Sequence, residues 1–139
     1  MIYTTLSATD VRKNWSQFND DVVREGPRFV RRNRDEWAAL SSEHLEAAFD
    51  HLEINSTVFI ENDKSYTMSV NDLDITENAE SLEEVLDLVA DALVDYAQEY
   101  MDSFQMYFNS PNRRKHLPYV LKLIAQPDYD AVRSLIVYA

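Results

Sequence analysis

Basic side chains near the start of the chain have the chemistry to bind nucleic acid. Arg12, Lys13 and Asn14 lie in the first two turns of a predicted helix, away from its apolar face. Arginine and lysine donate to phosphate oxygens, and arginine and asparagine also donate to base edges. A helix N-terminus favours an anion as well. Further arginines crowd a short segment, namely Arg28, Arg31, Arg32 and Arg34. These positions suit a DNA-binding patch, and an ordinary solvated surface explains them about equally well.

The charge distribution limits this patch to a small part of the chain. The formal net charge is −12, and residues 54–108 carry thirteen acidic side chains against Lys64 as their single basic one. That acidic segment could complement a basic partner protein. It could equally be the solvated face of a long helix. A local basic patch within an acidic protein is compatible with either interpretation.

Several classes of site are excluded by composition. The chain has no cysteine and a single glycine, Gly26. Phosphate-binding loops, dinucleotide fingerprints and nucleophile elbows need glycines that are absent here. His44 and His51 are too far apart for a helical metal pair, and His116, after a basic run, is expected on the surface. We therefore expect no catalytic residue, no metal and no cofactor. The N-terminus lacks a signal-peptide pattern and no apolar run could span a membrane, so we expect a cytoplasmic protein.

The elements that must position the basic residues can be predicted from local signals. We expect an edge strand over residues 1–5, then a helix that Ser7 caps with Asp10 as its capping-box partner. One face of that helix carries Val11, Trp15, Phe18 and Val22. Gly26-Pro27 ends the helix, and two short strands follow at residues 28–32 and 36–40 with a turn at residues 33–35. Ser41 or Ser42 caps a second helix, whose inner face is predicted to carry Leu45, Ala48, Phe49 and Leu52.

The rest of the chain reads as a second α+β unit. Strands are predicted at residues 57–60 and 66–70, with an extended segment through Leu73 and Ile75. Ser81 and Glu84 form a capping box at the start of a long helix, which is expected to run until Asn109. Its aromatic run, which we expect to be core more often than a partner groove, comprises Tyr96, Tyr100, Phe104, Tyr107 and Phe108. Shorter helices are predicted at residues 117–125 and 128–137.

Residues 1–53 resemble the Phd/YefM antitoxins of type II toxin–antitoxin systems. The segments that carry the resemblance are Leu6 to Trp15 and Pro27 to Ser41. The family opens with a strand and a helix bearing an Ala-Arg-x-Asn-like run, followed by a strand that ends in a basic residue, a tight turn and a second strand. The resemblance implies a homodimer through the sheet and second helix that grips operator DNA. Arg12 and Asn14 match the helix positions and Arg32 the basic strand end. Val11 replaces the usual alanine, and the turn glycine is missing, which predicts a wider turn.

Residues 56–98 are similar to HicB-like antitoxin domains. The matching pattern is a strand, a turn, a second strand, a corner at Asn71 to Ile75, and a helix that begins Ser81-Leu82-Glu83-Glu84. This similarity implies a HicA-like toxin partner, whereas the Phd/YefM resemblance implies a RelE-like ribonuclease. The sequence leaves both partners open.

Together these features predict an α+β protein with an N-terminal β-α-β-β-α module, a small antiparallel hairpin, one long helix and C-terminal helices. Residues 1–53 would bind DNA and dimerise, and residues 54–139 would bind a toxin. The resemblance implies a non-enzymatic antitoxin that neutralises an RNase-type toxin and represses its own operon. The residues expected at the DNA are Ser7, Arg12, Lys13, Asn14, Arg31 and Arg32. An acidic adaptor or immunity-type protein that dimerises and binds a basic partner without DNA is the alternative.

Overall fold

The computed structural model describes residues 2–139, which divide into two compact units, residues 2–48 and residues 49–139. The first unit contains a three-stranded sheet in the order β1-β2-β3, with β1 parallel and β3 antiparallel to β2. Its elements are β1 (Thr5–Ser7), α1 (Ala8–Lys13), α2 (Trp15–Arg24), β2 (Arg28–Arg32), β3 (Asp35–Ala39) and α3 (Ser42–Phe49). The α+β class and the order of these elements agree with the sequence prediction.

The first strand lies later than predicted. It occupies Thr5–Ser7 because these residues pair in parallel with Phe29 to Arg31 of β2. Of the predicted strand at residues 1–5, Met1 lies outside the described residues. Ser7 ends the strand and begins α1, where its Oγ accepts a hydrogen bond from the backbone N–H of Asp10 at 3.1 Å. The predicted cap is therefore confirmed.

The predicted first helix is two helices, because the chain bends at Asn14. This residue has φ −118° and ψ 42°, outside the helical region, and its side-chain amide donates to the carbonyl of Asp10 at 3.1 Å. Because of this bend, Trp15 does not join the buried face on which its spacing from Val11 and Phe18 predicts it. Trp15 is 58% exposed, and the core of this unit consists of Val11, Phe18, Val22 and Val30.

The hairpin between β2 and β3 is tighter than the missing glycine predicts. Arg32 pairs with Asp35, so that only Asn33 and Arg34 form the loop. Asn33 adopts φ 55°. Asparagine tolerates this left-handed conformation better than other residues with a side chain, so Asn33 allows a two-residue loop without a glycine. The expectation of a wider turn was wrong.

Helix α3 begins as predicted but buries little. The Ser41 hydroxyl accepts from the backbone N–H of His44 at 3.2 Å, which makes Ser41 the cap. No residue of α3 is buried, and Ala48 of the predicted inner face is exposed. The apolar face of α3 is thus only partly covered among residues 2–139.

The second unit contains a four-stranded sheet in the order β6-β5-β4-β7. Its elements are β4 (Ile54–Ile60), β5 (Tyr66–Val70), β6 (Ile75–Ala79), α4 (Leu82–Asp102), α5 (Phe104–Phe108), one turn of 3₁₀ helix (Arg114–His116), α6 (Leu117–Ile124), α7 (Tyr129–Ser134) and β7 (Ile136–Tyr138). The prediction included the hairpin, the extended segment and the helices. It did not include β7, which was expected to be helical and instead pairs in parallel with β4, Ile136 opposite Ile54.

Helix α4 is the centre of this unit. Ser81 caps it as predicted, since the Ser81 hydroxyl accepts from the backbone N–H of Glu84 at 3.2 Å. Its buried face packs on the sheet, on α6 and on α7, and consists of Val85, Leu86, Val89, Ala90, Leu93, Ala97 and Tyr100. The helix ends at Asp102 because Ser103 leaves the helical region (φ −122°, ψ 45°), so that α5 is separate. The expected continuous helix to Asn109 was therefore wrong.

Candidate functional site

Arg12 and Arg32 come from different elements and line the same open pocket. The other lining residues are Ala8 and Thr9, and the pocket has a volume of about 390 Å³. Parallel pairing of β1 with β2 places Ser7, immediately before α1, opposite Arg31. Arg32 lies on the same face of β2 as the buried Val30, because alternate residues of a strand share a face. That face packs against Val11 of α1, which brings the two arginines together.

Both arginines are exposed and available to a ligand. Among residues 2–139 neither guanidinium lies within 4 Å of a carboxylate, and neither side chain donates a hydrogen bond. Two unpaired guanidinium groups around one concavity form a local positive site, even in a chain of net charge −12. Such groups can donate to the oxygens of a phosphate with bidentate geometry.

The other predicted site residues surround this pair in different ways. Lys13 is exposed at the end of α1 and does not line the pocket. Ser7 and Asn14 are exposed, and each is engaged with the α1 backbone, at the start and the end of the helix. Their hydrogen bonds hold the helix that carries Arg12. They therefore position the site, although parts of each side chain remain free to donate.

Arg31 is separated from the pair. It lies on the opposite face of β2 and forms an ion pair with Glu36, the residue directly across the hairpin. The hydrogen bond from Arg31 and its positive charge lower the pKa of the Glu36 carboxyl. Because this pair is formed within the chain, Arg31 contributes less free positive charge than Arg12 or Arg32.

The second unit contains a buried polar cluster around His116, which was expected on the surface. His116 is only 2% exposed, and its Nδ1 lies 2.6 Å from the hydroxyl of Tyr96. Burial lowers the pKa of His116, and the carboxylate of Asp74 partly opposes this effect. Burial also raises the pKa of Tyr96. The surface prediction failed because the partner of His116 lies twenty residues away along the chain, beyond the reach of local signals.

The aromatic run of α4 and α5 is mainly structural, as expected. Tyr100 is buried and donates to the carbonyl of Arg113 at 2.6 Å. The Arg113 guanidinium lies 5.0 Å from the ring centre of Tyr107, and that of Arg114 lies 4.3 Å from the ring centre of Phe108. These cation–π contacts hold Arg113 and Arg114 against the aromatic side chains of α4 and α5.

The acidic face of α4 is partly neutralised within the chain. Arg133 of α7 donates to Glu83 at 2.6 Å and to Asp87 at 2.8 Å. Asp91 and Asp95 are exposed and form no ion pair with residues 2–139. The described part of the chain contains no cluster of three or more histidine, aspartate or glutamate side chains that could hold a metal ion. Nor does it contain a helix that is both long and apolar enough to cross a membrane.

Comparisons with known proteins show similarity to antitoxins of toxin–antitoxin systems. A PHD-like family model, described as antitoxin of RelE/RelB toxin–antitoxin systems, matches residues 1–138. A crystal structure from Syntrophomonas wolfei subsp. wolfei, described as the antitoxin part of a proposed toxin/antitoxin system, has a TM-score of 0.91 to this chain. The two share 33% sequence identity, and the match covers 99% of each chain. No curated protein matches. A single family model thus spans both the Phd/YefM-like and the HicB-like segments.

Proposed function

Because this chain belongs to the PHD-like family of antitoxins of RelE/RelB toxin–antitoxin systems, we propose that it neutralises a cognate toxin by direct binding and represses its own operon by binding operator DNA. Residues 1–53 carry the DNA-binding and dimerisation role, and residues 54–139 bind the toxin. Both activities are binding, without catalysis. A protein with these two partners acts in the cytoplasm.

The DNA-binding proposal rests on the convergence of Arg12 and Arg32. Two exposed, unpaired guanidinium groups at one pocket can contact neighbouring phosphates or a base edge. Lys13 and Asn14 extend the contact along α1, while Arg31 and Ser7 support it from the strand and the helix cap. The DNA affinity then comes mainly from phosphate contacts and weakens steeply as salt rises.

Dimerisation is supported by what the first unit leaves exposed. Among its described residues, 2–48, the core has four buried side chains, which is small even for a short domain. Trp37 is 44% exposed and Leu40 is 38% exposed, and α3 buries no residue. A second copy that covers this apolar surface would place two Arg12–Arg32 pairs on one DNA duplex.

Toxin binding is assigned to the second unit on charge and family. A RelE-like ribonuclease has to bind RNA and therefore carries a basic surface, which the acidic residues of segment 54–108 complement. Asp91 and Asp95 are examples that no basic residue of the described chain neutralises. The proposed toxin is accordingly a small basic protein encoded beside this chain.

Two assays in cells test the two activities separately. Co-expression with the product of the adjacent reading frame should restore growth and give a co-purifying complex. A reporter under the upstream promoter should be repressed by the wild-type chain and derepressed by Arg12→Ala/Arg32→Ala, but not by Arg24→Ala, which removes an exposed arginine elsewhere in the unit. Growth rescue without repression or DNA affinity would contradict the repressor role and favour the acidic adaptor. Absence of rescue and of a complex would contradict the antitoxin mechanism.

A further inference from the structure

A polar pocket in the second unit has no role in the DNA-binding site. It has a volume of about 260 Å³ and is lined by Asn71, Asp72, Asp74, Lys115, His116 and Tyr119. A water molecule takes up roughly 30 Å³ in the liquid, so this space accommodates a group of several atoms. The pocket lies where the β5–β6 turn meets the start of α6.

His116 lines this pocket and has one ring nitrogen that no hydrogen bond uses. Its side chain is almost fully buried, and Nδ1 is engaged by Tyr96, which does not line the pocket. Nε2 is buried and has no hydrogen-bond partner among residues 2–139. It is therefore the ring nitrogen left for an occupant of the pocket. A buried polar atom without a partner is costly, which favours an occupant that bonds to it.

The charges of the pocket indicate which occupant fits. Asp72 and Asp74 form no ion pair with residues 2–139, and Asp72 accepts a single hydrogen bond from the hydroxyl of Tyr119 at 3.3 Å. Lys115 is the one cation in the lining, and burial favours a neutral His116. The pocket thus has a net negative charge. The described side chains provide no metal-ligand cluster, so a multi-atom cation fits better than a metal ion.

We propose that this pocket binds the guanidinium group of an arginine side chain of the cognate toxin. A guanidinium is planar and carries N–H donors on several sides, so it can donate to both carboxylates and to Nε2 at once. Nε2 accepts when the ring proton lies on Nδ1, which then donates to the Tyr96 oxygen. This assignment rests on the proposed toxin binding. It places a specific ionic contact in the second unit, at the β5–β6 turn.

The test uses the complex of the full chain with the purified product of the adjacent reading frame. Asp72→Asn/Asp74→Asn removes both carboxylate charges with little change of shape. Asp20→Asn/Glu25→Gln is the matched control, since it removes two charges at exposed positions outside both the pocket and the acidic segment 54–108. We expect at least about tenfold weaker toxin binding for the pocket variant, because a charge-assisted bond to a carboxylate is lost. We expect the affinity of the control for the toxin to change by less than about twofold, because its two screened charges lie outside residues 54–139, which are proposed to bind the toxin.

Nitrogen-15 spectra of the histidine rings give a second measurement. Toxin binding should shift the Nε2 signal of His116, with the ring proton on Nδ1. The proposal is overturned if the wild-type chain binds toxin while both double variants bind alike and the Nε2 signal stays unchanged. Such a result would leave the proposed function standing. If the wild-type chain does not bind toxin at all, the proposed antitoxin function and the proposed pocket contact are both contradicted. A shift of Nε2 by micromolar agmatine alone would assign the pocket to a free guanidinium compound and overturn the toxin contact.

Discussion

The Tyr96 hydroxyl lies 2.6 Å from Nδ1 of His116 and joins the middle of α4 to the turn that precedes α6. The Tyr96 ring packs edge-on against the rings of His116, Tyr100 and Tyr107. The bond makes His116 a structural residue of the second unit. Since burial disfavours the charged ring, protonation of His116 lowers the free energy of unfolding.

The stability of the chain should therefore fall in mildly acidic solution. The folded-state pKa of His116 is lowered from the ordinary value of 6.5, so the unfolded chain takes up a proton first. The free energy of unfolding should decrease as the pH falls below about 6.5. The contribution of His116 to this decrease should end once the pH is below its folded-state pKa, because the folded chain is then protonated as well. Urea unfolding between pH 7.5 and 5.5 measures the slope. The His116→Gln variant should show a smaller decrease of unfolding free energy with falling pH. The His51→Gln variant, changed at an exposed position, should show the wild-type decrease. Equal pH dependence in all three chains would refute this role of His116.

Lys122 holds the segment that follows α3. Its Nζ donates to the carbonyls of Phe49, Asp50 and Leu52 at 3.1, 3.2 and 2.5 Å. Lys122→Met keeps the aliphatic stem and removes the donors, and we expect a loss of about 1–3 kcal/mol in unfolding free energy because three carbonyls, two of them partly buried, lose their partner. Chemical denaturation measures the loss. Lys115→Met, at an exposed lysine without such bonds, should change stability by less than about 0.5 kcal/mol.

The apolar face of α3 should be needed for dimerisation. Leu45 is half-buried on a helix that has no buried residue, and Leu45→Glu would place a charge in the proposed dimer interface. We expect sedimentation equilibrium to give twice the chain mass for the wild type and the chain mass for Leu45→Glu. Glu46→Gln, on the exposed side of α3, should remain dimeric. A wild-type chain that is monomeric at micromolar concentration, or a Leu45→Glu chain that is still dimeric, would contradict the assignment.

Elements defined by local chemistry could be predicted from the sequence. Ser7 and Ser81 were identified as caps because a hydroxyl three residues before a backbone N–H is a local signal. Elements that depend on distant partners could not. Strand β7 exists because Ile136 pairs with Ile54, and the same residues continue a helical pattern when read alone. The bends at Asn14 and Ser103 interrupt a regular apolar period that, by itself, predicts uninterrupted helices.

The same distinction applies to the candidate site. The positions of Arg12 and Arg32 in α1 and at the end of β2 followed from the pattern, but their common pocket depends on the parallel register of β1 with β2. The ion pair of Arg31 with Glu36 depends on the hairpin register. Because turn length determines hairpin register, the expectation of a wider turn did not lead to this pairing. Asn33, with its positive φ, is the residue from which a two-residue loop could have been anticipated.

Salt-dependent binding of the purified chain to its upstream DNA tests the central claim most directly. Fluorescence anisotropy from 50 to 200 mM salt gives the affinity and its salt slope for the wild type, for Arg12→Ala/Arg32→Ala and for Arg24→Ala. We expect the double variant to bind at least about tenfold more weakly and its log–log salt slope to fall by about 2, roughly 1 for each lost phosphate contact. Arg24→Ala should match the wild type. Equal affinity and equal slope for the double variant and the wild type would contradict DNA binding through the Arg12–Arg32 pocket.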